Sequence, residues 1–151
     1  MMNINAPVLA IDYGEKRFGI AISDSKGIIA SPLTVIEVPK RDGIEYVISR
    51  IEELIQENNV KTILLGMPQI FQDSYQKSAE KVKKFKDELS KLITIPIIFQ
   101  DESYSTTRAQ NMLTSLGQST KKSKGKIDKV SAAVFLQEFL NSEQQNNEKH
   151  H

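Results

Sequence analysis

At 151 residues, 39% of them hydrophobic and 26% charged, the chain matches one soluble globular domain with a core of its own. A formal net charge of +1 supplies no overall field for nucleic acid, so any such binding must come from local basic patches. The lack of cysteine excludes disulfides, thiolate metal sites and a cysteine nucleophile. No apolar run approaches a membrane span, and Met1–Asn5 has no basic region followed by an apolar one, so no membrane association and a cytoplasmic location are expected.

Val8 to Asp12 is a short continuous apolar run, the mark of a strand buried on both faces. After the turn at Tyr13-Gly14-Glu15-Lys16, Phe18, Ile20 and Ile22 alternate with Gly19, Ala21 and Ser23, a strand with one crowded face. Asp24-Ser25-Lys26-Gly27 is a second turn, with Gly27 free to take positive φ and Asp24 suited to an Asx-turn. Ile28 to about Val38 is a third extended segment, made an edge or interrupted strand by Pro32 and Pro39. Ile44, Val47, Ile48, Ile51, Leu54 and Ile55 recur at helical spacing, with Asp42 as N-cap and Asn58-Asn59 as stop. Thr62 to Leu65 is a buried strand ended by Gly66-Met67-Pro68. Ala79, Val82, Phe85, Leu89 and Leu92 form the stripe of a second helix, and Ile97 to Gln100 is a further strand. Ser105 or Thr106 caps a third helix through Ala109, Met112, Leu113 and Leu116, closed by Gly117. A Ser/Lys/Gly loop precedes a last helix from about Ile127 to Leu140, and the Gln/Asn/Glu-rich residues 141–151 are expected to be disordered. His150-His151 carry no functional weight.

Three antiparallel strands followed by βα units imply an α/β domain over residues 1–140, a mixed five-stranded sheet with helices on both faces. In such sheets the site lies beyond the carboxyl ends of the parallel strands. Asp12 closes one apolar strand and Glu102 follows another, while Asp128 opens the last helix. A carboxylate at the edge of a buried element is costly unless compensated, and hard Mg²⁺ prefers oxygen ligands. Each acid also has a plainer role available: Asp12 can cap its own turn, and Asp128 can answer a helix dipole. If the first and last strands lie near each other, Asp12 and Glu102 converge and Asp128 completes the cluster.

Four blocks in order carry a family resemblance over roughly Val8 to Leu140. They are Ala10-Ile11-Asp12-Tyr13-Gly14-Glu15-Lys16-Arg17-Phe18-Gly19-Ile20-Ala21 through Asp24; Leu65-Gly66-Met67-Pro68; Asp101-Glu102 with Ser105-Thr106 and Ala109; and Lys126-Ile127-Asp128 with Ser131-Ala132 and Leu136. Together they resemble the YqgF/RuvX family of the ribonuclease H-like fold, whose members are described as Holliday junction resolvases and as pre-16S rRNA nucleases. The resemblance implies that Asp12, Glu102 and Asp128 are catalytic and hold one or two Mg²⁺ or Mn²⁺ ions, with Glu102 rather than its neighbour Asp101 facing the cluster. Ser103 stands where the family usually has Arg, which removes a cation beside the site, and Asp73-Ser74 stands for its Asp-Gly.

Arg17, just past the first turn, can reach a phosphate or remain a solvated cation. Lys121, Lys122, Lys124 and Lys126 run directly into Asp128, as a phosphate-backbone clamp would, although a charge run is more often a solvated loop. Lys81, Lys83, Lys84 and Lys86 read as a solubilising helix face. The expected substrate is structured RNA, precursor 16S rRNA foremost, with four-way DNA junctions as the alternative. The protein would be a monomer or, as junction resolution requires, a homodimer. A non-catalytic nucleic-acid-binding module is the third reading. An actin-like ATPase shares the opening strand-turn but would need a second domain and a second phosphate loop.

Overall fold

The computed structural model describes residues 5–14, 16–67, 75–101 and 124–149; the side chains at 67, 75–79, 101, 124–129 and 144–149 are outside the description. Strands β1 (Val8–Asp12), β2 (Arg17–Ser23), β3 (Ala30–Glu37), β4 (Thr62–Met67) and β5 (Ile97–Asp101) form one sheet in the order β3-β2-β1-β4-β5. The β1–β2 and β2–β3 pairs are antiparallel, and the β1–β4 and β4–β5 pairs are parallel. The mixed sheet expected from the element order is therefore present. Strands β1 and β5 are not neighbours, however, because β4 lies between them.

Side-chain parity divides the sheet into two faces. Leu9, Ile11, Phe18, Ile20, Ile63 and Leu65 pack with helices α1 (Gly43–Asn58) and α2 (Tyr75–Leu92). Val8, Ala10, Ala21 and Leu64 pack on the opposite face with Ala132, Phe135, Leu136 and Phe139 of helix α3 (Lys124–Lys149). The alternation in β2 follows from this: large residues meet α1 and α2, and small ones lie under α3. The helix expected over residues 105–117 lies outside the described residues.

Pro32 of β3 faces Ala21 where the β2–β3 register shifts, on an edge strand as its missing N–H demands. Gly27 takes φ 71 in the β2–β3 turn. Asp42 occupies the N-cap position of α1, but its side chain makes no capping bond. Its backbone is left-handed (φ 55) rather than in the extended region that aims an N-cap side chain at the first-turn amides. Its carbonyl still accepts from Tyr46 N–H at 2.9 Å. At the other end Asn59, also left-handed, closes α1 as the sequence indicates.

Three expectations are corrected. Strand β4 continues through Gly66 to Met67 instead of ending at Leu65. The apolar stripes are trimmed at their ends: Ile44 is 36% exposed and Leu92 62%, so neither belongs to the core. Helix α3 runs past Leu140 to Lys149, through much of the segment expected to be disordered. A packed helix needs no new nucleus to elongate, and Glu143, Gln144, Gln145 and Glu148 are good helix formers.

Candidate functional site

Asp12 ends β1 and is buried, 7% exposed. Its register partners are Gly19 on β2 and Gly66 on β4. Both glycines share its face: Gly19 by parity with Ala21, and Gly66 by parity with Leu64. The strand positions on either side of Asp12 are thus bare of side chains on the α3 face. Gly66 in turn pairs with Gln100 of β5. Ile98 packs on the α3 cluster and Ile97 on the other, so Gln100 shares the face of Asp12. A row Gly19–Asp12–Gly66–Gln100 therefore crosses four strands at the carboxyl ends of β1, β4 and β5.

The turn after Asp12 is fixed from both sides. Tyr13 N–H donates to the Gly66 carbonyl at 3.2 Å, extending the β1–β4 ladder by one residue. The Tyr13 ring meets Phe18 edge-on at 4.9 Å and Phe85 at 5.6 Å, while Phe18 and Phe85 lie 5.0 Å apart. This aromatic cluster anchors the residue next to Asp12 into the α1–α2 face. Gly14 must be glycine, because a Cβ there would collide with the Arg17 carbonyl oxygen.

Arg17 begins β2, half-buried, on the parity of Gly19 and Ala21. It shares the face and the sheet end of Asp12. Asp24 is at the far end of β2 and takes no part in the site. Its Oδ1 accepts from Ile28 N–H at 2.7 Å and Ile29 N–H at 3.1 Å, the turn role open to it from sequence. Those two amides hold its carboxyl below the ordinary aspartate range.

Helix α3 is tied to that same far end. Gln137 Nε2 donates to the Ile28 carbonyl at 2.8 Å, and its Oε1 accepts from Ala30 N–H at 2.9 Å. Ala30 pairs with Ser23, whose Oγ accepts from Val8 N–H at 2.7 Å. Gln137 therefore sits level with the start of β1. The backbones of Lys124, Lys126 and Asp128 lie in the N-terminal part of α3, but their side chains are outside the described set. Glu102, Ser103, Lys121 and Lys122 lie outside the described residues altogether. Among the described residues no three acidic, histidine or cysteine side chains form a group that could hold a metal. Of the three expected acids, only the Asp12 side chain is described.

Sequence reasoning did not single out Gly19 or Gln100, and took Gly66 as the end of a strand. Each is ordinary locally, and only strand register sets them beside Asp12. A groove of about 720 Å³ between α1 and α2, lined by Ile44, Ile48, Lys84, Phe85 and Leu92 among others, lies on the opposite face. No helix among the described residues is long and apolar enough to cross a membrane.

Comparison with known proteins agrees with this architecture. A relative from Chloroflexus aurantiacus named "Putative pre-16S rRNA nuclease" is 36% identical over 144 residues, covering 95% of this chain and 92% of the relative. One of the same name from Geobacillus is 37% identical over 137 residues, covering 91% and 99%. Among solved structures, the yeast mitochondrial Holliday junction resolvase superposes with a TM-score of 0.57 at 13% identity, covering 90% of this chain and 78% of that one. Thermus thermophilus RuvC in complex with a Holliday junction substrate gives 0.55 at 13% identity, covering 86% and 92%. At such identities these superpositions speak to the fold, which is ribonuclease H-like. The sequence profile of the RuvX family, described as Holliday junction resolvase, matches residues 6–142, and the chain belongs to that nuclease family.

Proposed function

We propose that the protein is a divalent-metal-dependent nuclease of the cytoplasm that hydrolyses phosphodiesters of structured RNA, precursor 16S rRNA foremost, at a centre built on Asp12, Glu102 and Asp128. The observation that carries this is the buried Asp12 carboxylate between Gly19 and Gly66. Gly19 and Gly66 leave the strand positions on either side of Asp12 without side chains, so an ion or a phosphate has room to approach its carboxylate.

The other two acids are assigned to the same centre. Parity along β5 puts Ile98 and Gln100 on the α3 face; Glu102, rather than Asp101, is assigned to the cluster on the family resemblance. Traced back nine residues from Gln137, α3 covers about 13 Å to reach Asp128. Val8 to Asp12 spans a similar distance of about 13 Å along β1. A helix antiparallel to β1 would then begin level with Asp12.

Carboxylate oxygens are the donors that Mg²⁺ and Mn²⁺ prefer, so these three residues suit one or two such ions. When bound, the ions would supply the Lewis acidity that activates water and stabilises the leaving oxygen of an in-line displacement. The chain's own contribution is to hold its carboxylates on rigid elements and to seat the phosphate. Arg17 serves the second task from β2. Lys121, Lys122, Lys124 and Lys126 serve it from the segment leading into α3. Lys124 and Lys126 lie in the first turn of that helix, where cations oppose the macrodipole and no acidic residue offsets them. A helix start that is electrostatically poor for folding is well suited to an anionic backbone.

The names of the relatives favour precursor rRNA as substrate. The family description and the junction-bound structural relative favour four-way DNA junctions as the second reading. That reading requires a two-fold homodimer, so that two symmetric cuts are made, whereas RNA cleavage can proceed in a monomer. Parallel cleavage assays on a precursor-rRNA fragment and a four-way junction, with Mg²⁺ or Mn²⁺, separate them. Metal-dependent cutting of the rRNA fragment supports the first reading and preferential cutting of the junction the second. Binding without cutting of either would leave a non-catalytic module.

A further inference from the structure

The row across the sheet is asymmetric about Asp12. On the β2 side, two residues before Gly19 along the strand and on the same face, stands the cation Arg17. On the other side, beyond Gly66, stands the neutral carboxamide of Gln100, exposed to solvent. With strands about 4.8 Å apart, Gln100 lies two spacings, roughly 9–10 Å, from Asp12. Gly66 puts no side chain between them. A phosphate held at Asp12 and gripped from the Arg17 side would leave the attached sugar within reach of Gln100. A carboxamide carries both a donor and an acceptor but no charge. That matches a ribose hydroxyl, itself donor and acceptor, better than it matches a phosphate, which calls for a cation.

We infer that Gln100 is a specificity-determining residue that hydrogen-bonds the 2′-hydroxyl of a nucleotide flanking the scissile phosphate, so that the site prefers ribose to deoxyribose there. The inference rests on the metal-nuclease reading above and assigns the RNA preference to one side chain.

The test begins by mapping the cut made by the wild-type protein in a precursor-rRNA fragment with Mn²⁺. Fragments with a single 2′-deoxy nucleotide immediately 5′ or 3′ of that cut are then compared with the all-ribose fragment. Gln100→Leu removes both polar groups at similar size, and Gln100→Glu keeps the acceptors while losing the donor. The exposed position means that neither should alter the fold, which a thermal melt confirms. Wild type should cut the all-ribose fragment about three- to tenfold faster than one of the deoxy fragments, the effect of one net hydrogen bond. Gln100→Leu should erase that ratio by slowing only the all-ribose reaction, and Gln100→Glu should leave an intermediate ratio. A wild type blind to the 2′-hydroxyl, or a Gln100→Leu variant that slows both fragments equally or keeps the wild-type ratio, overturns the inference. Failure of wild type to cut any nucleic acid would instead overturn the nuclease reading itself.

Discussion

Phe85 and Leu92 belong to the same apolar stripe of α2, yet the structure predicts opposite outcomes for their truncation. Phe85 is 2% exposed and its ring meets both Tyr13 and Phe18, whereas Leu92 is 62% exposed on the rim of the α1–α2 groove. Phe85→Ala removes a buried ring and leaves a cavity, which costs about 3–5 kcal/mol. The two lost ring contacts, about 0.5–1.5 kcal/mol each beyond area burial, place it in the upper part of that range. For a domain of this size each kcal/mol moves the melting temperature by about 2–4 °C, so a fall of roughly 6–20 °C is expected. Leu92→Ala should lie within about 0.5 kcal/mol of wild type, as exposed substitutions do. Urea unfolding of the two variants, monitored by circular dichroism with slopes compared, measures both. A Phe85→Ala loss below about 1.5 kcal/mol, or a Leu92→Ala loss of similar size, would refute the packing described around Tyr13. Because Tyr13 follows Asp12 directly, the same cluster should matter for the site, and Phe85→Leu is expected to weaken metal-dependent activity more than its stability loss alone explains.

Ser23→Ala leaves the Val8 N–H without its Oγ acceptor in a buried strand, so a loss of about 1–3 kcal/mol is expected by chemical denaturation. Asp24 has a folded pKa below its unfolded one, so its stabilisation is present above the unfolded value and fades as pH falls through the folded value. The melting-temperature gap between wild type and Asp24→Ala should therefore be larger at about pH 6 than at about pH 3, and a constant gap would count against the carboxylate–amide bonds. Arg17→Ala should reduce the slope of log affinity against log salt by about one for RNA binding, measured by filter retention; an unchanged slope would make Arg17 a structural cation.

The elements visible in the sequence are those whose pattern is set locally. The unbroken apolar run of β1 reflects burial on both faces, and the large–small alternation of β2 reflects a close helix on one face. What stayed hidden depends on partners far along the chain. Nothing in the stripe of α2 distinguishes Leu92, the exposed last residue of the helix, from the fully buried Leu89. Asp42 has the residue type of an N-cap, but its left-handed backbone keeps the side chain from capping. The position of Asp12 relative to the end of β5 could not be read from the sequence, since β4 lies between the two strands. Gly66 and Gln100 acquire meaning from that intervening strand alone. The aspartate itself was legible because a carboxylate ending a buried run breaks the local rule, and such breaks tend to mark function.

Asp12 is proposed to anchor a metal-dependent nuclease centre. The most direct test of that role is cleavage of a labelled precursor-rRNA fragment by wild type and Asp12→Asn, with Mg²⁺, with Mn²⁺ and with chelator. The account predicts cutting by wild type that needs the metal, and none by Asp12→Asn although the variant folds and binds the RNA. Cutting that survives in Asp12→Asn, or that is indifferent to chelation, would contradict it.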